Sequence, residues 1–250
     1  MKQFVTALLV LFSLSVYATP ATLVYDLSSG QIVSQQGDNT QRPIASLSKI
    51  MTAMVVLDST ASLSERLTIN NRRAATQLPR REYSRLDLLH AMLVRSDNAA
   101  AETLAENHPG GRSVFMSAMN SKAVELNMPN TQFNDPSGLS VFNVSTPQEV
   151  KEMFKAALQY DLIRSISTLK EVQLPAQKKQ RAISLFNTNF TTLSQFKDIV
   201  VSKTGFTNPA GFCMGLILNR QGHEFIVIVL GEKNKAQRAA TVNRLMNALS

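Results

Sequence analysis

Along this chain the apolar positions change period three times, from strand to helix, back to strand, and to helix again at the end. Thr22 to Tyr25 and Gln31 to Ser34 are short runs on either side of Ser28-Ser29-Gly30, which predicts a β-hairpin turning at Gly30. Past Pro43 and Ile44 a long apolar stretch, Ile50 to Leu57, reads as helix. Ser84 to Leu93 predicts a second, amphipathic helix whose apolar residues are Leu86, Leu88, Leu89, Met92 and Leu93. Asn98 to Ala105 predicts a third, ended by His108-Pro109-Gly110-Gly111, and Val114 to Leu126 a fourth. Thr146-Pro147 opens a fifth that runs to about Tyr160, with threonine as cap and proline in the first position. After Pro175 the character becomes strand-like at Ile199 to Ser202, Phe212 to Leu218 and Phe225 to Leu230, and Gln221-Gly222 marks a hairpin between the last two. A closing helix, Ala236 to Leu249, keeps Ala239, Val242, Leu245, Met246 and Leu249 at helical spacing.

Strands at both ends and helices between them imply an α+β fold: one antiparallel sheet that joins the termini, with a helical cluster on one side. The first residues stand apart from it. Lys2 precedes an apolar run, Phe4 to Val16, and Val16-Tyr17-Ala18 offers compact residues where a signal peptidase reads. That run is too short for a membrane span, so residues 1–18 read as a secretory signal peptide cleaved after Ala18. Residues 19–250 then form one domain.

At 44% hydrophobic and 18% charged, the chain has the composition of a folded domain and not of a disordered one. Its net charge of +8 suits an anionic polymer, though it equally suits an ordinary basic surface. Cys213 is the sole cysteine, which leaves an exported chain without an internal disulfide.

The chemistry gathers at three places. Ser46 and Lys49 are three apart at the start of the apolar helix, so the lysine amine shares a face with the serine hydroxyl. The free N–H groups of that helix start favour negative charge beside Ser46. A serine becomes a nucleophile when a base takes its proton. Lys49 can do so only when neutral, and bringing its pKa down to near neutrality costs about 4 kcal/mol, within reach of burial plus a second cation. Ser96-Asp97-Asn98 falls between two helices and aims short polar side chains at a cleft. Lys203-Thr204-Gly205 follows the strand Ile199 to Ser202. There Lys203 supplies the second cation and a partner for a substrate carboxylate, and Gly205 lets a substrate backbone lie close.

The ordered set Ser46-x-x-Lys49, Ser96-Asp97-Asn98, Lys203-Thr204-Gly205 resembles the penicillin-interacting serine enzymes. Ile44-Ala45-Ser46, Lys49-Ile50-Met51-Thr52-Ala53, Asp135-Pro136-Ser137-Gly138-Leu139, Asn143-Val144-Ser145-Thr146 and Lys203-Thr204-Gly205-Phe206-Thr207 are similar to the low-molecular-mass D-alanyl-D-alanine carboxypeptidase and endopeptidase family, in particular its periplasmic DD-endopeptidase branch of penicillin-binding protein 7 type. The resemblance implies a DD-peptidase/β-lactamase-like fold without metal or other cofactor. It also implies a periplasmic enzyme that cleaves D-alanyl bonds in peptidoglycan stem peptides and cross-links, with β-lactams as covalent inhibitors. By it Ser46 is acylated, Lys49 is the base, and Ser96 relays the proton to the leaving amine. Asn98 binds the substrate amide, Lys203 and Thr204 hold the carboxylate, and the N–H groups of Ser46 and Phe206 form the oxyanion hole.

Other readings are weaker. Ser167–Lys170 and Ser194–Lys197 repeat the serine–lysine spacing without an apolar helix behind them and read as solvated surface. Cys213 reads as a small buried hydrophobe. His90, His108 and His223 lack zinc-peptidase spacing, and no G-x-S-x-G elbow occurs. Arg72, Arg73, Arg80, Arg81 and Arg85 form a basic stretch that reads as a solvated loop, with an anionic cell-wall contact as the alternative. A class A-like β-lactamase would carry E-x-x-L-N between the second and third motifs, and Glu171-x-x-Leu174 is followed by Pro175 instead. A catalytically silent wall-binding protein is disfavoured by the full set of side chains, and a nucleic-acid binder by the export signal. D-alanyl-D-alanine carboxypeptidase activity stays open beside endopeptidase. The stop at Ser250, with no room for a second β-rich domain or a C-terminal membrane anchor, favours the endopeptidase.

Overall fold

The computed structural model describes residues 19–69, 74, 76–176 and 181–249; the segment read as a signal peptide, with Arg72 and Arg73, lies outside the described residues. The predicted first hairpin is formed by β1 (Ala21–Asp26) and β2 (Gln31–Gln36), with Gly30 at φ +71° in its turn. Then come a two-residue strand β3 (Arg42–Pro43), a 3-10 turn at Ala45–Leu47 and helix α1 (Ser48–Asp58). A small ladder of β4 (Arg66–Thr68) and β5 (Glu82–Ser84) precedes α2 (Arg85–Val94), α3 (Asn98–Glu106) and α4 (Gly111–Glu125). Next come β6 (Val144–Ser145), which pairs with β3, and helices α5 (Pro147–Ala157) and α6 (Asp161–Ser167). A hairpin of β7 (Glu171–Leu174) and β8 (Ile183–Phe186) and a short helix α7 (Phe190–Gln195) lead to the closing strands. These are β9 (Ile199–Thr207), β10 (Gly211–Arg220) and β11 (His223–Glu232), followed by α8 (Lys235–Asn247).

The helix starts follow from their caps. Ser84 and Asp87 satisfy each other's backbone N–H groups at 3.0 Å in a reciprocal capping box. Thr146 accepts from the Glu149 N–H at 3.2 Å ahead of Pro147, and Asn234 accepts from Gln237 at 2.8 Å.

One antiparallel sheet of order β2-β1-β11-β10-β9 joins the chain ends. It differs from the expected one-sided arrangement, because both faces are covered. Ile226, Ile228 and Leu230 of β11 pack into the core with α1 and α5, while Val227 and Val229 pack against Val242, Leu245 and Met246 of α8. This is why the central strands read as unbroken apolar runs. Gly215 at the middle of β10 lets α5 approach closely: a Cβ there would lie 2.3 Å from the Phe154 ring.

Several boundaries move. The fifth helix stops at Ala157 because Tyr160 leaves the helical region (φ −112°, ψ 100°), and α6 restarts so that Ile163 and Ile166 reach the core. β9 continues through Lys203-Thr204-Gly205, so the third motif lies within the strand and not after it. Ser167, read as solvated, is fully buried at the end of α6, where its Oγ accepts from the Ser202 N–H at 3.2 Å. Two of the five basic residues are likewise not solvated. Arg85 is buried and bonded to Glu65 at 2.5 Å, and Arg81 lies over the Tyr83 ring and donates to the Pro175 carbonyl at 3.1 Å. Among the described residues, no helix is long and apolar enough to cross a membrane.

Candidate active site

Ser46 occupies the 3-10 turn that feeds α1. Ala45 before it has φ +48°, a left-handed conformation that a residue with a Cβ adopts only under constraint. The constraint is visible. The Ile44 N–H donates to the Asn143 carbonyl at 3.0 Å, and the Ser48 hydroxyl donates to the Ala45 carbonyl at 2.8 Å. The Asn143 amide nitrogen reaches Ser48 Oγ at 3.0 Å and the Asp135 carbonyl at 2.8 Å. Gly138, at φ +82°, lies so close that a Cβ on it would stand 2.0 Å from the Ala45 carbonyl oxygen.

Lys49 is fully buried one turn further on. Its Nζ lies 2.9 Å from Ser46 Oγ, 2.7 Å from Asn98 Oδ1 and 2.5 Å from the Ser137 carbonyl oxygen. Ser137 is held in turn by the Asp135 carboxylate, which accepts from the N–H groups of Ser137 (2.7 Å), Gly138 (2.6 Å) and Ser140 (2.5 Å) and from the Ser137 hydroxyl (2.8 Å).

The second motif bridges α2 and α3. Ser96 stands at φ +61°, and Asp97 caps α3 by accepting from the Ala100 N–H at 2.8 Å, with the Thr76 hydroxyl on its other oxygen at 2.6 Å. Asn98 therefore opens the helix with its amide turned to Lys49. The third motif lies on β9, the sheet edge beside the nucleophile turn. Lys203 Nζ donates to Ser96 Oγ and to the Thr204 carbonyl, both at 2.9 Å, and Thr204 Oγ1 meets Thr188 Oγ1 at 2.7 Å. Gly205 has a reason the sequence did not suggest. A Cβ there would lie 3.1 Å from both the Ile44 carbonyl and the Ser46 nitrogen, so glycine lets the strand press against the turn that carries Ser46.

Burial brings the Lys49 amine down to about 7, against the pull of Asp135, Asp97 and Glu102, which favour its charged form. A neutral amine 2.9 Å from a hydroxyl can accept its proton. Lys203 is held well below the ordinary lysine range, first by burial and then by the charges of Lys49 and Arg238. Desolvation, more than a second cation, is thus what depresses Lys49.

Ser46, Ser96, Asn98, Thr204, Gly205 and Phe206 line one cleft of about 420 Å³, with Lys49 and Lys203 behind it. Lys203, expected to hold a substrate carboxylate, points at Ser96 and is 1% exposed at the back of the cleft. Arg238 of α8 lines the cleft as well, and its buried Nε has no partner among the described residues. The sequence held a signal for it: Arg238, Val242 and Leu245 share one helix face, and a cation on a buried stripe is out of place unless it serves something. Cys213 is buried within β10, and burial pushes its thiol up to about 11, far from a thiolate nucleophile.

An antiparallel sheet beside a helical cluster, with a serine hydroxyl on a buried lysine amine where they meet, defines a serine hydrolase of the penicillin-binding class. The chain belongs to peptidase family S11, whose model, described as D-alanyl-D-alanine carboxypeptidase, matches residues 13–234. It is 35% identical over 239 residues to the D-alanyl-D-alanine endopeptidase of Escherichia coli (91% of this chain, 76% of the relative). With the Pseudomonas aeruginosa D-alanyl-D-alanine endopeptidase it shares 37% identity over 220 residues (84% and 71%). Among solved structures, it superposes on penicillin-binding protein D2 of Listeria monocytogenes in its ampicillin-bound form with a TM-score of 0.82 at 30% identity, covering 91% of this chain and 95% of that one. The Streptomyces K15 DD-transpeptidase gives 0.83 at 25% identity, covering 90% and 94%.

Proposed function

We propose that this is an exported, periplasmic DD-peptidase that opens D-alanyl cross-links of peptidoglycan through an acyl-enzyme on Ser46. The observation that carries the reading is the buried Lys49 amine, 2.9 Å from Ser46 Oγ and fixed by Asn98 and the Ser137 carbonyl. Ser46 Oγ attacks the D-alanyl carbonyl carbon and gives its proton to Lys49. The oxygen that becomes negative is received by the N–H groups of Ser46 and Phe206, a kind of contact whose loss typically slows reactions by ~10²–10³. The C–N bond then breaks as Ser96, hydrogen-bonded to Lys203, gives its proton to the leaving amine and takes back the one that Lys49 accepted, which leaves Lys49 neutral again. Water attacks the ester, releasing a D-alanyl carboxylate and restoring the serine. Asn98 holds the substrate amide, and Thr204 with Arg238 holds the carboxylate beside the scissile bond. The same serine takes the acyl group of β-lactams.

The preference for cross-links over free D-alanyl-D-alanine termini is supported by the relatives called endopeptidases, at 35% and 37% identity. Those called carboxypeptidases in Bacillus subtilis, Mycobacterium tuberculosis and Streptomyces stand at 24%, 31% and 26%. Residues 1–18 serve as the export signal and residues 19–250 as the enzyme. The test is labelling of the protein with a fluorescent penicillin beside a Ser46→Ala variant, followed by digestion of cross-linked dimer and of monomeric pentapeptide. Labelling lost in the variant, with faster cleavage of the dimer, is expected. An unlabelled wild type that is folded would overturn the penicillin-binding reading, and faster release of terminal D-alanine would make the enzyme a carboxypeptidase.

A further inference from the structure

We propose that Arg95 is a specificity residue that binds a second substrate carboxylate, beyond the one beside the scissile bond. The inference rests on the cross-link reading above and adds the chemistry by which the substrate is selected.

Two hollows meet at the second motif. The cleft that holds Ser46 adjoins a further hollow of about 340 Å³ that reaches Thr76 and Gln77, and Arg95, Ser96, Asn98 and Thr188 line both. A linear peptide ending at the cleaved residue needs one such channel. A cross-linked dimer sends two peptide arms away from the cleaved bond, and a forked cleft accommodates both.

The charge of the lining agrees with this. Three cations face the Ser46 cleft from two elements: Arg95 at the end of α2, Lys235 at the start of α8, and Arg238 one turn later on the same helix. No aspartate or glutamate lines that cleft among the described residues. In the second hollow the acid is Asp97, whose two oxygens are engaged by the Ala100 N–H and the Thr76 hydroxyl. A single carboxylate beside the cleaved bond is accounted for by Arg238 and Thr204. Arg95 also lines the second hollow, which Arg238 and Thr204 do not, so a carboxylate that enters that hollow meets Arg95 and not these two.

Arg95 is also aimed and accessible. Its N–H closes α2 on the Ala91 carbonyl at 3.2 Å, and the left-handed Ser96 next to it turns the chain sharply into α3. The exposed guanidinium donates to Gln77 Oε1 at 3.1 Å through one nitrogen, which leaves the rest of its planar fork for a carboxylate. The ligand class is therefore a peptide with a free carboxylate one residue or more from the D-alanyl bond, as in stem peptides built on acidic residues.

The experiment compares two synthetic cross-linked peptides that differ in one group, a free carboxylate or its carboxamide at that position. Wild type should cleave the acidic dimer with kcat/KM about fivefold to tenfold above the amidated one. In Arg95→Gln the ratio should fall close to one, and Arg95→Lys should restore part of it. A wild-type ratio of one, or an Arg95→Gln variant that keeps the wild-type ratio, would overturn the proposal. If the protein cleaves neither dimer but is acylated by penicillin, the cross-link reading fails. Arg95 is then judged by the same ratio on a monomeric D-alanyl-D-alanine peptide and its amidated twin, where a ratio of one overturns the proposal and a ratio lost in Arg95→Gln upholds it.

Discussion

Replacing Asn98 with aspartate puts a negative charge where a neutral amide oxygen now lies 2.7 Å from Lys49 Nζ. An anion there favours the ammonium form of Lys49, so its pKa must rise and the neutral base must become scarcer near pH 7. At an effective dielectric constant of about 20, the Coulomb energy of such a pair is about 6 kcal/mol, equivalent to roughly four pKa units. Asn98 lines an open cleft, so water and salt reduce this, and two units is a conservative figure. Lys49 then moves from about 7 to about 9. At pH 7.5 the neutral fraction falls from about three quarters to about 3%, a loss of some 25-fold in acylation from this cause alone. The assay is the second-order rate of labelling by a fluorescent penicillin between pH 5.5 and 9.5. Wild type should rise tenfold per unit at low pH and level off above about 8. Asn98→Asp should still be rising at 8.5. Asn98→Ala loses the same contact to substrate without adding charge, so its midpoint should stay at or below that of wild type. Coinciding midpoints for the aspartate and alanine variants would refute Lys49 as the base, and a wild-type rise centred near 10 would refute its depression by burial.

Three further outcomes follow from contacts around the site. Gly138→Ala must move the Ala45–Ser46 peptide, since the new Cβ would lie 2.0 Å from a backbone oxygen and φ is +82°; a loss of about 2–3 kcal/mol in denaturant titration, with acylation slowed at least tenfold, is expected. Gly215→Ala drives a methyl into the Phe154 ring and should cost about 1–3 kcal/mol, partly recovered by adding Phe154→Leu; additive losses would show that the two do not compete for space. Arg112→Met strips Glu102, 4% exposed, of its partner at 2.8 Å, which should cost on the order of 3 kcal/mol and raise the pH midpoint of acylation, because Glu102 favours charged Lys49. Adding Glu102→Gln should reverse both effects, and a midpoint indifferent to both changes would remove Glu102 from the environment of Lys49.

Much of the molecule was legible in its residues. The period-two runs at both ends and the helical spacing between them follow from how side chains alternate on a strand and recur on a helix, and these patterns survive any arrangement of the elements. The cap at Thr146, the glycine turn at Gly30 and the three motifs are local too. They depend on groups within four residues of one another. The elements missed were the short ones, α6, α7, the β7–β8 hairpin and the two small ladders β3–β6 and β4–β5, whose few buried residues, such as Ile163 and Leu174, give too little periodicity to read.

What tertiary structure alone decided is what surrounds each reactive group. That Ser46 and Lys49 share a helix face is a matter of sequence spacing. That Lys49 loses its charge depends on burial by segments 49 and 88 residues away, carrying Asn98 and Ser137. Ser167 and Arg85 looked solvated because composition measures average exposure, whereas their burial comes from partners at Ser202 and Glu65 that folding alone brings near. Arg238 reached the cleft because α8 covers the far face of the sheet over β10 and β11, a packing choice that local pattern does not encode. The sequence by itself determined the inventory and the local geometry of the chemistry. The fold determined its electrostatics, since desolvation and charge act through space between residues that the chain order leaves far apart.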